Sequence, residues 1–279
     1  TPTGVLRLAR TLKREKFDLA ILLQNAIEAA IIALAAGIPH RAGYDSDGRG
    51  LLLTHRVRRT REIKMVHQVD YYLEMVKALG CFAVDGEMNL RSRIQLSDAI
   101  DVLRKFLPES EKDLIGIAPG ATYGAAKRWF PDRFAGVADK IAERYGTRGM
   151  ILGGKADGET ARNVQEKAKV ELINLAGKTN LREAIYLISQ CRLFISNDSG
   201  LMHIAGALDV PTIAIFGSTN PVTTSPVGKM SVIVRKEISC SPCLKKTCPT
   251  DFRCMDGISV EDVFTAAEGL LNVRRDQDR

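Results

Sequence analysis

LFISNDSGLMHIAGAL, residues 193–208, decides the reading of the fold. Leu193–Ser196 is a short apolar run without alternation, as in a strand covered on both faces. Ser199–Leu208 follows at helical spacing. A buried strand that turns directly into a helix is the repeating corner of a parallel α/β sheet. Ligands bind at such corners, outside the carboxyl ends of the strands. The free N–H groups and positive dipole end of the helix suit a pyrophosphate. Asp198, Ser199 and Gly200 occupy the corner. His203 lies four residues beyond Ser199 and shares its helix face. An isolated Asp-Ser-Gly would read as a helix cap beside a core histidine. Four polar residues packed into one corner, Ser196–Ser199, turn the reading toward a site.

The same corner recurs on both sides. Leu114–Ala118, Gly149–Leu152, Leu172–Leu175 and Thr212–Phe216 read as further buried strands. Helices are expected after Pro131, where proline suits the first turn, and over Glu159–Lys169, Leu181–Gln190 and Val260–Val273. Right-handed crossovers make this block a doubly wound, Rossmann-like domain. The polar tail Arg274–Arg279 is expected to fray. Ahead of it lies a second α/β block: a helix around Val5–Leu12, a strand Asp18–Leu23, and helices Ala26–Ala36 and Met65–Leu79. We place the blocks at 1–93 and 94–279, with the linker inside Cys81–Pro108. The first block opens on a helix, without a leading strand and glycine-rich turn.

Three more strand ends carry polar or glycine-rich loops. In PGATYGAAKRW (119–129), Gly120 and Gly124 permit a tight loop. Thr122 and Tyr123 supply hydroxyls, and Lys127 is a cation for a leaving diphosphate. The Gly-Lys-Ser/Thr ending of a Walker loop is absent, and a solvated lysine beside a glycine turn is the alternative reading. In GGKADGE (153–159), Asp157 or Glu159 could bind ribose hydroxyls or simply cap the turn. FGSTNP (216–221) is the last loop. All belong to one edge of one sheet, and this convergence marks a donor site.

The net charge of +7 suits an anionic partner or a solvated basic surface. Aromatic residues make up 6% and do not interleave with the basic runs, which argues against nucleic acid. No apolar run approaches the roughly 20 residues of a membrane-spanning helix. Ala26–Ile38 is interrupted by Glu28. The opening Thr1-Pro2 turns charged at once, which reads as no signal peptide and hence as cytoplasmic.

PGATYGAAKRW, NLAGKTNLREAIYLISQCRLFISNDSGLMHIAGAL (174–208), PTIAIFGSTNP (211–221) and the weaker AGIPHRAGY (36–44) together resemble glycosyltransferase family 9, the heptosyltransferases of lipopolysaccharide core synthesis. The likeness is greatest to the heptosyltransferase II group. The resemblance implies a GT-B fold of two Rossmann-like domains, the first incomplete here. It also implies inverting, metal-independent transfer of L-glycero-D-manno-heptose from ADP-heptose. The acceptor would be lipid A–Kdo or heptosyl-Kdo–lipid A, with peripheral contact at the inner membrane. By motif position, Thr122 and Lys127 would meet the donor phosphates and Glu159 the adenosine ribose, with Tyr123 and Asp157 also counted on the donor side. Asp198, Ser199, Gly200 and His203 would hold the diphosphate and heptose. Lys127, Asp198 and His203 carry the catalytic expectation. The family's aspartate base is expected ahead of Thr1.

Cys240, Cys243, Cys248 and Cys254 stand apart from the family motifs. Four thiols within fifteen residues suit a structural zinc or an iron–sulfur cluster, although C-x2-C-x4-C-x5-C is no standard finger. Free thiols in a capping loop are the alternative. No cofactor is expected for catalysis. Two further functional readings stay open: a GT-B transferase using a UDP- or GDP-sugar, and a non-catalytic nucleotide-binding module.

Overall fold

The computed structural model describes residues 2–82, 90, 96–107 and 113–277. The chain divides into two compact units, Thr1–Gly86 and Glu87–Arg279. The expected boundary at 93/94, like much of the expected linker, lies outside the described residues.

The second unit is a six-stranded parallel sheet. Its strands are β4 (Leu114–Ala118), β5 (Arg148–Ile151), β6 (Leu172–Asn174), β7 (Cys191–Asn197), β8 (Thr212–Ile215) and β9 (Ser231–Val234), in the spatial order β6-β5-β4-β7-β8-β9. The chain moves outward from β4 to β6, then returns to place β7 beside β4. The order therefore reverses between β4 and β7. There the loops leaving two adjacent strand ends diverge and open a crevice.

Alternation along the strands fills both faces. Ile115, Ile117, Ile151, Leu193, Ile195, Ile213 and Ile215 pack on one side with α5 (Pro131–Tyr145), α6 (Gly158–Lys167) and α11 (Val260–Gln277). Leu114, Met150, Leu152 and Phe194 pack on the other with α4 (Leu96–Phe106), α7 (Leu181–Ser189) and α8 (Gly200–Ala207). Gly116 has no side chain because Phe194 takes the space: a Cβ there would lie 2.4 Å from its ring.

Local chemistry sets the helix ends. In α5, Pro131 occupies the first turn and Gly146 terminates the helix at φ +67°. In α7, Asn180 and Glu183 form a reciprocal capping box. The expected helix from Glu159 stops at Lys167 rather than Lys169. Asp139 takes the backbone N–H groups of Lys169 and Val170 instead. The tail expected to fray continues as helix to Gln277; no glycine or proline interrupts it.

The first unit is a three-stranded parallel sheet, β1 (Leu19–Ile21), β2 (His40–Tyr44) and β3 (His55–Val57), with α1 (Pro2–Glu15), α2 (Ile27–Ala35) and α3 (Gln68–Ala78). The expected start of α3 at Met65 moves to Gln68, because His67 caps the helix and accepts the Val69 N–H. Arg49 is fully buried and ties strand ends together. Its guanidinium donates to the carbonyls of Tyr44 (2.7 Å) and Gln24, which satisfies a charge that burial disfavours, and burial lowers its pKa. No described helix is long and apolar enough to cross a membrane.

Candidate active site

A cavity of about 450 Å³ opens at the carboxyl ends of the second unit's sheet. It lies where β4, β5 and β7 give way to their loops. Gly120, Ala121 and Thr122 come from the first loop, Gly153–Asp157 from the second, and Ser199 and Gly200 from the third. Leu152, Leu181, Ala184, Leu201 and Ile204 form an apolar part, and Thr179 and Asn180 add polar groups. The volume falls within the range of roughly 300–1,000 Å³ typical of small-molecule sites.

One buried amide holds two of these loops together. Asn197, at the end of β7, has no exposed surface. Its Nδ2 donates to the Pro119 carbonyl (2.8 Å), and its Oδ1 accepts the Trp129 N–H (3.0 Å). The whole 119–129 loop is thus pinned, at both ends, to the strand that presents Asp198. Trp129 is anchored again by its indole N–H on the Ile258 carbonyl, 3.0 Å away.

Beside the cavity, Lys127 Nζ lies 2.5 Å from Asp198 Oδ2, and the two side chains are only 12% and 5% exposed. Thr219, from the loop after β8, donates its hydroxyl to the same carboxylate oxygen at 2.6 Å. The ammonium also stands over the Tyr123 ring, 4.9 Å from its centroid. Lys127 is therefore a positioned cation at the amino terminus of α8, with its charge balanced by Asp198. An incoming anion would share this ammonium and meet the unpaired N–H groups of the first turn of α8.

Among the residues singled out from the sequence, Thr122, Asp157, Ser199 and Gly200 line the cavity. Lys127 and Asp198 are brought together at its side, across 71 residues of chain. Asp157 is held by the Gly154 N–H (2.9 Å) and stands against Gly120, where a Cβ would lie 2.2 Å from its carboxyl. Glu159 is exposed in the first turn of α6, outside the cavity lining. His203 is half-buried one turn into α8 and also lies outside the lining. Tyr123 commits its hydroxyl elsewhere, donating to the Leu244 carbonyl at 2.7 Å. Sequence reading missed Asn197 as a clamp and Thr219 as a third partner of the ion pair. Both stand inside motifs quoted above, but their roles depend on neighbours far away in the chain.

Cys240, Cys243, Cys248 and Cys254 surround a separate cavity of about 90 Å³. All four are thiols. Among the described residues, no three His, Cys, Asp or Glu side chains converge closely enough to hold a metal ion.

The profile of glycosyltransferase family 9 (heptosyltransferase) matches residues 5–252. The chain belongs to this family. It is 34% identical over 241 residues to lipooligosaccharide heptosyltransferase 2 of Haemophilus influenzae, covering 82% of this chain and 68% of that protein. With the Campylobacter jejuni enzyme of the same name it shares 30% over 272 residues, 94% of this chain and 78% of that one. The solved structure of Escherichia coli ADP-heptose lipopolysaccharide heptosyltransferase II superposes with a TM-score of 0.83 at 26% identity, over 97% of this chain and 81% of that chain. A family 9 glycosyltransferase from Veillonella parvula superposes at 0.79, also at 26% identity, over 96% and 78%. The two parallel-sheet units are those of a GT-B glycosyltransferase, and the chain is of the heptosyltransferase kind.

Proposed function

We propose that the second unit binds ADP-heptose, the donor named for the E. coli structure above, for transfer to the inner core of lipopolysaccharide. One observation carries the reading. The Lys127–Asp198 pair lies at the start of α8, beside a part-apolar cavity, at the point where strand order reverses. The apolar part, Leu152, Leu181, Leu201 and Ile204, suits a nucleobase. Thr122, Ser199 and the first N–H groups of α8 suit the diphosphate, and Asp157 suits ribose hydroxyls.

As the bond to the sugar breaks, negative charge grows on the leaving diphosphate. Lys127 and the α8 amino terminus are already oriented toward that charge, so little reorganisation accompanies its development. Asp198 and Thr219 hold the ammonium in place and the Tyr123 ring fixes its approach. His203, one turn along the same helix, is assigned to the heptose. These positive groups provide the stabilisation a divalent ion would otherwise give, so donor binding is metal-independent. Transfer proceeds by direct displacement with inversion, once a base accepts the acceptor hydroxyl's proton. A basic protein of this kind works at the anionic cytoplasmic face of the inner membrane.

Calorimetric titration with ADP, UDP and GDP tests the reading. ADP is expected to bind selectively, with the same affinity with or without Mg²⁺, and at least about tenfold more weakly in Lys127→Ala and Asp198→Ala, a loss of about 1.4 kcal/mol. Preference for UDP or GDP would refute the assigned donor. Binding unchanged in both variants would refute the site.

A further inference from the structure

Residues 235–252 run from β9 to α10 (Arg253–Asp256) with neither helix nor strand. This long connection is bonded to the donor-side loops. Ser241 Oγ donates to the Gly217 carbonyl (2.7 Å) and the Leu244 N–H to the Ser218 carbonyl (2.7 Å). On the other side, Tyr123 donates its hydroxyl to the Leu244 carbonyl, and the Ala126 N–H donates to the Lys246 carbonyl at 3.0 Å. Gly124 leaves room for this approach, since a Cβ there would lie 2.2 Å from the Lys246 oxygen. The backbone of residues 244–246 is thus pinned against the loop that presents Lys127.

The residue positioned by this bonding is a cation. The Lys246 side chain is exposed, and its Nζ stands 5.8 Å from the centroid of the Tyr123 ring. Lys127 Nζ stands 4.9 Å from the same centroid. The two ammoniums share one aromatic support but differ in their partners. Lys127 is balanced by Asp198 at 2.5 Å. Among the described residues, no acidic side chain pairs with Lys246. The neighbouring Lys245 lines the small cavity among the cysteines instead.

A second cation matters because of the charge balance at the donor site. Lys127 and Asp198 cancel, and so do Lys155 and Asp157, the charged residues of the cavity lining. Apart from the dipole of α8, a nucleoside diphosphate would enter a site with no net formal charge. During transfer the anomeric C–O bond breaks and its electron pair stays on the leaving phosphate oxygen. The acceptor oxygen bonds the sugar, and its proton passes to the base. The diphosphate therefore gains one negative charge as the sugar departs. Lys127, already shared with Asp198, answers that charge only in part.

We propose that Lys246 is a second catalytic cation, whose ammonium leaves the Tyr123 ring and meets the terminal phosphate of the leaving nucleoside diphosphate alongside Lys127. Lysine suits the task as a compact charge on a flexible four-carbon stem. The ring contact it gives up is weak at an exposed position, and the pinned backbone keeps the stem's origin beside the donor loop.

The inference rests on the donor reading above and assigns one more residue to it. Calorimetric titration of the full chain with AMP, ADP and ADP-heptose, without Mg²⁺, tests it. Lys246→Ala should bind ADP at least about fivefold more weakly, the upper range for an exposed ion pair. ADP-heptose, whose terminal phosphate lacks the extra charge, should lose less, and AMP, which lacks that phosphate, should bind unchanged. Lys246→Arg should recover most of the ADP affinity, and Lys245→Ala should match the wild type with all three ligands. The loss should shrink at high salt, and the urea midpoint should stay unchanged in every variant because the side chains are exposed. Unchanged ADP affinity in Lys246→Ala, or a loss shared equally by AMP, would overturn the inference and leave the donor reading standing. Equal losses for ADP and ADP-heptose would overturn the catalytic role. Failure of the wild type to bind ADP would overturn the donor reading and this inference with it.

Discussion

Lys127→Met is the sharpest test of the ion pair beside the donor cavity. Across 2.5 Å, at an effective dielectric near 20, the attraction between the charges is roughly 6–7 kcal/mol before desolvation. Much of that offsets the cost of withdrawing both groups from water. Loss of one partner from a buried pair typically costs about 3–5 kcal/mol, because the other charge is stranded. Asp198 would keep the Thr219 hydroxyl, so the expected loss for Lys127→Met is near 3 kcal/mol. Asp198→Asn leaves Lys127 free to reach solvent past Tyr123 and should cost about half as much. In the double variant no charge is stranded, and its loss should fall about 2 kcal/mol short of the sum of the singles. Urea unfolding followed by fluorescence is suited to this. Trp129 is the single tryptophan and is buried in the second unit, so it reports on that unit alone. ADP binding should be lost in Lys127→Met and stay lost in the double variant, although its stability partly returns. Strict additivity of the two stability losses would refute the idea that the pair acts as a unit.

Other perturbations address other links. Gly120→Ala would press a Cβ on the Asp157 carboxyl, 2.2 Å away; the displaced carboxylate should weaken ADP binding about tenfold by calorimetry, with unfolding little changed. Asn197→Ala deletes two buried hydrogen bonds and leaves the Pro119 carbonyl and Trp129 N–H unpaired. It should destabilise the second unit by about 2–4 kcal/mol in urea, and a loss below 1 kcal/mol would argue against the clamp. Burial pushes the Tyr44 hydroxyl, which donates to the Tyr71 carbonyl, up to about 12. Because the folded pKa is raised above the ordinary tyrosine value of 10.0, stability is fully present below pH 10 and lost as pH rises through 12. Tyr44→Phe should therefore flatten the alkaline limb of a stability–pH profile, and an unchanged limb would count against this origin.

Sequence patterns determined the local pieces of this protein. Apolar runs such as Leu114–Ala118 and Leu193–Ser196 announce strands buried on both faces, because no other environment accepts them. Pro131 and Asn180 mark helix starts through backbone chemistry that needs no distant partner. The motifs around Lys127 and Asp198 carried the family likeness, which the comparisons bear out. Short or half-exposed elements escaped notice. β9 is four residues on an edge, β2 opens on His40-Arg41, and β3 is three residues long. None has enough contrast between faces to show a period. The tertiary structure alone decided what those pieces do together. Strand order set β4 beside β7 and so brought Lys127 to Asp198. It also laid the cysteine-bearing connection on the donor loop, 121 residues away in sequence. Pairing between strands and contact between loops depend on the closure of long stretches of chain, and local propensity carries no record of which stretches will close.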